Sequence, residues 1–128
     1  MTAAILDTSV FIATEQGRPL LRQLPEEVSV SVITLAELEL GVLMAGDPET
    51  RATRLATLTR VREEVAGLPA DGRVASAYAR LAAAELSAGR KPRVHDTWIA
   101  ATALAHGADV WTQDGDFTRF SAVEVVQR

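Results

Sequence analysis

The 128-residue chain contains no cysteine, which excludes disulfides and thiolate metal sites. Histidine is scarce as well, with His95 and His106 the only two, so a histidine-built metal centre has little to draw on. Lysine occurs once, at Lys91, against twelve arginines; with so much alanine, this reads as coding bias toward high GC content. No stretch approaches the roughly 18 apolar residues that a membrane helix needs. The N-terminus, "MTAAILDTSV", lacks both a basic start and a long apolar core, so no signal peptide is expected. These absences together predict a cytoplasmic protein. Positive charge is also in deficit: 17 acids against 13 bases give a net charge of −4. Such a balance argues against gripping nucleic acid through bulk positive potential.

What is present is a core-forming composition, 48% hydrophobic, in a chain long enough to hide roughly two-thirds of its unfolded surface. No repeat, low-complexity tract or linker divides it, so residues 1–128 are expected to form a single domain. "AAIL" (3–6) reads as a buried strand, with Thr8 or Ser9 placed to start a helix over "TSVFIAT". "RPLLRQL" (18–24) predicts a short helix. "VSVSVI" (28–33) is β-branched and alternating, hence a strand. Thr34 then opens a helix closed by Gly46, and Asp47-Pro48 starts a longer one over 48–65 in the cap-then-proline order. "GLPADG" (67–72) reads as a break, 73–88 as a helix, "GRKPR" (89–93) as a basic loop, and 95–106 as an alanine-rich helix ended by Gly107. "DVWT" (109–112) and "VEVV" (123–126) read as strands around a turn or short helix at "DFTRF". Strands alternating with helices predict an α/β layered domain whose central sheet, of about four to five strands, is mostly parallel.

Sites in such sheets form beyond the carboxyl ends of the strands, which draws attention to the acids. Asp7 follows "AAIL" directly, Glu37 lies in the first turns after "VSVSVI", Asp96 is in the first turn of its helix, and Asp114 and Asp116 follow "DVWT". Each has an ordinary structural reading. Glu37 completes a Thr34-x-x-Glu37 capping box, Asp7 suits an N-cap, Asp96 suits a helix N-terminus, and "QDGDF" suits an Asp-Gly turn. Taken together they are harder to explain, because carboxylates about 4 Å apart repel by roughly 4 kcal/mol at an effective dielectric near 20. No Lys or Arg occupies the strand ends, so convergence calls for cations, and Mg²⁺ or Mn²⁺ prefers oxygen ligands. Setting these five acids aside leaves thirteen bases against twelve acids, a remainder of +1. The acidity of the chain is thus largely the acidity of one candidate site.

Thr8, Ser9 and Thr112 can orient carboxylates by hydrogen bonding. Gly41 shares a helical face with Glu37 and permits close approach, whereas Glu39 points elsewhere and is expected to be solvated. Trp98 and Trp111 read as core. Arg90, Lys91 and Arg93 form either a solvated loop or a phosphate contact.

"ILDTSVFI", "SVITLAELELGV" and "HDTWIAATALAHGADVWTQDGDF", in this order and spacing, resemble the PIN-domain ribonucleases, specifically the toxin subunits of VapBC-type toxin–antitoxin pairs, over nearly the whole chain. The resemblance implies an endoribonuclease acting on structured RNA, often transfer or ribosomal RNA. It implies catalytic, metal-binding acids at Asp7, Glu37, Asp96 and Asp114, with Asp116 as a further participant. Many relatives carry Asn where Asp114 stands, so the division of roles between Asp114 and Asp116 stays open. It further implies a homodimer and a VapB-type antitoxin whose tail enters the acidic cleft. The residues themselves fit hydrolysis assisted by two divalent ions. Alternatives are a non-catalytic PIN-like binding module, a metal-dependent phosphohydrolase of small phosphoesters, and, at greater distance, a receiver-like signalling domain. The last calls for a lysine at a late strand end, where Lys91 does not lie.

Overall fold

In the computed structural model, residues 3–18, 24–113 and the strand 125–127 are described. The chain runs β1 (Ala4–Leu6), α1 (Thr8–Glu15), β2 (Val28–Ser31), α2 (Val32–Leu43), α3 (Pro48–Glu64), β3 (Ala66–Leu68), α4 (Gly72–Ser87), α5 (Val94–His106), β4 (Asp109–Thr112) and β5 (Val125–Gln127). All strand pairs are parallel, in the order β3-β2-β1-β4-β5.

The uninterrupted apolar strands follow from a sheet covered on both faces. Successive side chains point to opposite faces, and β1 and β4 divide accordingly. Ile5 and Val110 pack with Val74, Leu81 and Ile99 of α4 and α5. Ala4, Leu6 and Trp111 pack with Phe11, Leu38, Leu58 and Val61 of α1, α2 and α3. Trp111 is therefore core, as its surroundings in the sequence suggest. Trp98 is partly buried and stacks on Tyr78, ring centroids 4.3 Å apart.

Two elements differ from the sequence expectation. α2 begins at Val32, because Ser31 rather than Thr34 is the cap; its hydroxyl accepts from the Ile33 N–H at 3.0 Å. Thr34 is fully buried, and its hydroxyl has no hydrogen-bond partner among the described residues, so the capping box with Glu37 does not form. The stretch read as a break holds an edge strand instead, β3, paired with β2 in the register Val30↔Gly67. "AGL" carries neither alternation nor β-branching, and Gly67 serves the packing: a Cβ there would stand 3.0 Å from Leu35 Cδ1.

Other boundaries agree closely. Asp47 caps α3, its carboxylate accepting from the Thr50 N–H at 2.8 Å and the Thr50 hydroxyl at 2.9 Å. Gly107 ends α5 in the left-handed conformation at φ 61°, where glycine is favoured. The final strand is described over Val125–Gln127, ending one residue beyond the end read for it, and residues 123 and 124 lie outside the described residues. The short helix over 18–24, apart from its end residues, and the "DFTRF" segment lie outside the described residues. Among the described residues, no helix is long and apolar enough to cross a membrane.

Candidate active site

The strand order places β1 beside β4 at the point where the chain's progress across the sheet reverses. Crevices in open parallel sheets lie there, beyond the carboxyl ends. Asp7 leaves β1 into this crevice, its backbone N–H bonded to the Trp111 carbonyl at 2.9 Å. It occupies the N-cap position of α1 yet makes no side-chain cap bond. Its carboxylate turns instead toward β4. Oδ2 accepts from the Ser9 hydroxyl at 2.7 Å and from the Thr112 hydroxyl at 2.7 Å, and the two hydroxyl oxygens are 3.2 Å apart. The Gln113 N–H in turn donates to Ser9 Oγ at 2.8 Å. Asp7 is 6% exposed and Thr112 fully buried, so this is a fixed arrangement within the fold. Both hydroxyl bonds fall on one carboxylate oxygen, and a carboxylate accepts at about four positions, which leaves capacity at Oδ1.

Glu37 comes from α2. Its Oε1 accepts from the Thr8 hydroxyl at 2.7 Å, and its Oε2 lies 3.5 Å from His95 Nδ1. Asp96 stands in the first turn of α5, with Oδ2 3.4 Å from Arg93 Nε and its side chain 18% exposed. A linked set results: Thr112 to Asp7 through β4 and β1, Thr8 to Glu37, and Glu37 to His95, the neighbour of Asp96. Asp114 and Asp116 lie outside the described residues.

Positive groups reach two of the acids from the start of α5 rather than from a strand end. One helical turn brings Arg93 beside Asp96, and His95 adds a second positive contact at Glu37 when protonated. Of the proposed RNA contacts, Arg90 is engaged within the chain, donating to buried Glu85 at 2.8 and 3.2 Å. That carboxylate raises the Arg90 guanidinium above its ordinary pKa. The pair anchors the start of the loop carrying Lys91, which is exposed, and Arg93. Glu39 is half-exposed and meets Arg62 at 3.3 Å.

Among the described residues, no three Asp, Glu or His side chains gather closely enough to cage a metal. The donors nonetheless suit a hard cation. Asp7 and its hydroxyl cradle are all oxygen, and Mg²⁺ typically binds through one or two carboxylates while keeping several waters.

Sequence reasoning placed Gly41 on the face of Glu37 but missed the side chains that surround them. A pocket of about 230 Å³ opens there between α1, α2 and α3, with Ile12, Glu15 and Arg54 among its lining. Arg54 Nη1 donates to the Gly41 carbonyl at 2.7 Å, and Arg51 to that of Leu43 at 3.3 Å. These guanidiniums satisfy carbonyls left over at the end of α2. The available signal was the three-residue spacing of Arg51 and Arg54 at the start of α3, opposite Gly41.

The PIN domain profile matches residues 4–123. The chain belongs to the PIN-domain family. Within that family it is 46% identical to Ribonuclease VapC5 of Mycobacterium tuberculosis, over 98% of this chain and 95% of that protein. It is 43% identical to Ribonuclease VapC4 of the same organism, over 96% and 95%. It is thus a VapC-type PIN domain. A crystal structure of VapBC-5, from a toxin–antitoxin family of M. tuberculosis, superposes with a TM-score of 0.87 at 40% identity, covering 100% of both chains. FitAcB of Neisseria gonorrhoeae superposes at 0.72 with 30% identity, over 95% of each.

Proposed function

We propose that the protein is the toxin of a type II toxin–antitoxin pair, an endoribonuclease that hydrolyses RNA phosphodiester bonds with Mg²⁺ or Mn²⁺, two ions being engaged. The observation that carries this reading is the Asp7 carboxylate fixed by Ser9 and Thr112 at the crevice between β1 and β4. The relatives called Ribonuclease VapC lend it support. When bound, a divalent cation supplies positive charge for the phosphoryl and departing ribose oxygens and lowers the pKa of an attacking water. Asp7 and Asp96 are assigned to hold the cations, and Glu37, with Asp114 and Asp116, to complete their surroundings. Thr112 and Ser9 fix the Asp7 carboxylate plane, so that Oδ1 is presented without reorganisation. Thr8 does the same for Glu37. The proposed partners are an RNA substrate of the transfer or ribosomal class, a VapB-type antitoxin and a second copy of the chain. Solved relatives include VapBC complexes, one of them bound to DNA from its promoter.

A non-catalytic PIN-like binding module is the second reading. One experiment separates the two. The wild type is expected to cut structured RNA only with divalent cation present, and Asp7→Asn and Asp96→Asn to lose at least about 100-fold while melting as folded proteins. Equal cleavage by all three would refute the assignment of the chemistry to Asp7 and Asp96, and no cleavage by the wild type with divalent cation present would favour the binding module. Growth arrest on expression, relieved by the product of a neighbouring gene, tests the toxin assignment.

A further inference from the structure

The pocket in front of Glu37 has a chemistry of its own. One lip is Ile12, 40% exposed, a large apolar side chain left facing solvent on α1. Leu38 adds a second apolar wall, and Glu15 and Arg54 bring an acceptor and a donor. The remaining feature is Gly41. A glycine within a helix weakens it, yet the chain's own packing makes no demand for one here. A Cβ would meet only Arg54 Cδ at 3.8 Å, an ordinary contact. What the missing side chain preserves is the space in front of it.

Size and charge narrow the occupant. At about 230 Å³ the pocket is smaller than the roughly 300–1,000 Å³ of drug-sized sites, so it suits one flat ring system. Glu15 and Glu37 on its lining disfavour a phosphate group and favour a neutral group that presents N–H donors. Single-stranded RNA is read through splayed bases set against side chains and hydrogen-bonded at their edges. Guanine alone among the four bases offers two adjacent donors, N1–H and N2–H₂, to a carboxylate, together with O6 and N7 acceptors for an arginine. Arg54 uses one donor on Gly41, and a guanidinium has five.

We propose that this pocket binds a guanine base next to the scissile phosphate, with Glu15 and Arg54 reading its edges and Gly41 keeping the slot open. The proposal rests on the ribonuclease reading for its meaning, and its test needs no cleavage. The full-length protein, without added metal, is titrated with guanosine, adenosine, cytidine and uridine while backbone amide NMR shifts are followed. Guanosine is expected to shift the amides of Glu15, Gln16 and Gly41 and to bind at least about fivefold more tightly than the other three. Gly41→Leu should abolish the response, and Glu15→Gln should erase the preference for guanosine, both variants keeping dispersed spectra. Equal response to all four nucleosides, no response, or shifts confined to another face would overturn the assignment. N-acetyl-arginine amide binding the same amides more tightly than guanosine would give the pocket to a cationic side chain of a protein partner, and would overturn it equally. The ribonuclease reading survives any of these results, since it is tested separately by whether the wild type cuts RNA with divalent cation present and Asp7→Asn does not.

Discussion

Thr112 is the residue on which the geometry of Asp7 turns. It is fully buried, and its hydroxyl reaches a carboxylate 105 positions earlier in the chain. Thr112→Val keeps the shape and removes the donor, so that among the described residues Asp7 retains the Ser9 bond to orient it. We expect single-turnover RNA cleavage to fall about 10–100-fold in this variant, the usual cost of losing an orienting partner. Thr112→Ser, which keeps the hydroxyl, should recover most of the rate. At this scale the sequence was informative where a residue's neighbours announce its location. Asp7, Thr8, Ser9 and Thr112 all flank short apolar strands, and their placement at strand ends follows from that. Glu37 was ambiguous, since the same spacing also spells a capping box; the cap at Ser31 and the tertiary bond from Thr8 decide between the two. The approach of His95 to Glu37 was not legible, because it depends on how α5 packs beside α2.

Among the elements, α2 carries most of what distinguishes this site. Its N-terminal half presents Glu37 and its C-terminal half presents Gly41. Gly41→Ala should stabilise the helix by roughly 0.5–1 kcal/mol, raising the melting temperature. The same substitution is expected to weaken guanosine binding, because the added methyl enters the pocket; calorimetry and titration on one preparation read both effects. α3 offers a pH test. The Thr50 backbone N–H and hydroxyl hold the Asp47 carboxyl below its ordinary value. A depressed folded-state pKa gives stability that is present above the unfolded value, about 3.9, and lost as pH falls through the folded one. The melting difference between wild type and Asp47→Ala is therefore expected to be constant near neutrality and to shrink below about pH 4. Helices α3, α4 and α5 were legible through their caps and breaks, Asp47-Pro48 and Gly107 above all. β3 was not, because an exposed three-residue edge strand holding a glycine has no pattern of its own; pairing with β2 creates it.

For the whole molecule, the alternation of strands and helices was sufficient to read a parallel α/β sheet, and the two-sided core explains why its central strands are apolar throughout. The last two acids, Asp114 and Asp116, lie outside the described residues, so their part in the site rests on the sequence. The net charge of −4 makes a global prediction. A cation that binds only the folded form should stabilise it by about 2.7 kcal/mol at a hundred times its dissociation constant. Thermal melts with and without Mg²⁺ should show this gain in the wild type and little of it in Asp7→Asn. The sheet order has one more consequence. β1 is the middle strand, paired with β2 on one side and on the other with β4, whose residues begin at Asp109. A ribosome making this chain therefore releases Asp7 early but cannot complete the crevice around it until Thr112, 105 residues later, has been translated. Non-local pairings of this kind also form slowly. Nascent and prematurely terminated chains should accordingly be harmless, and the cell gains an interval in which to meet the finished product.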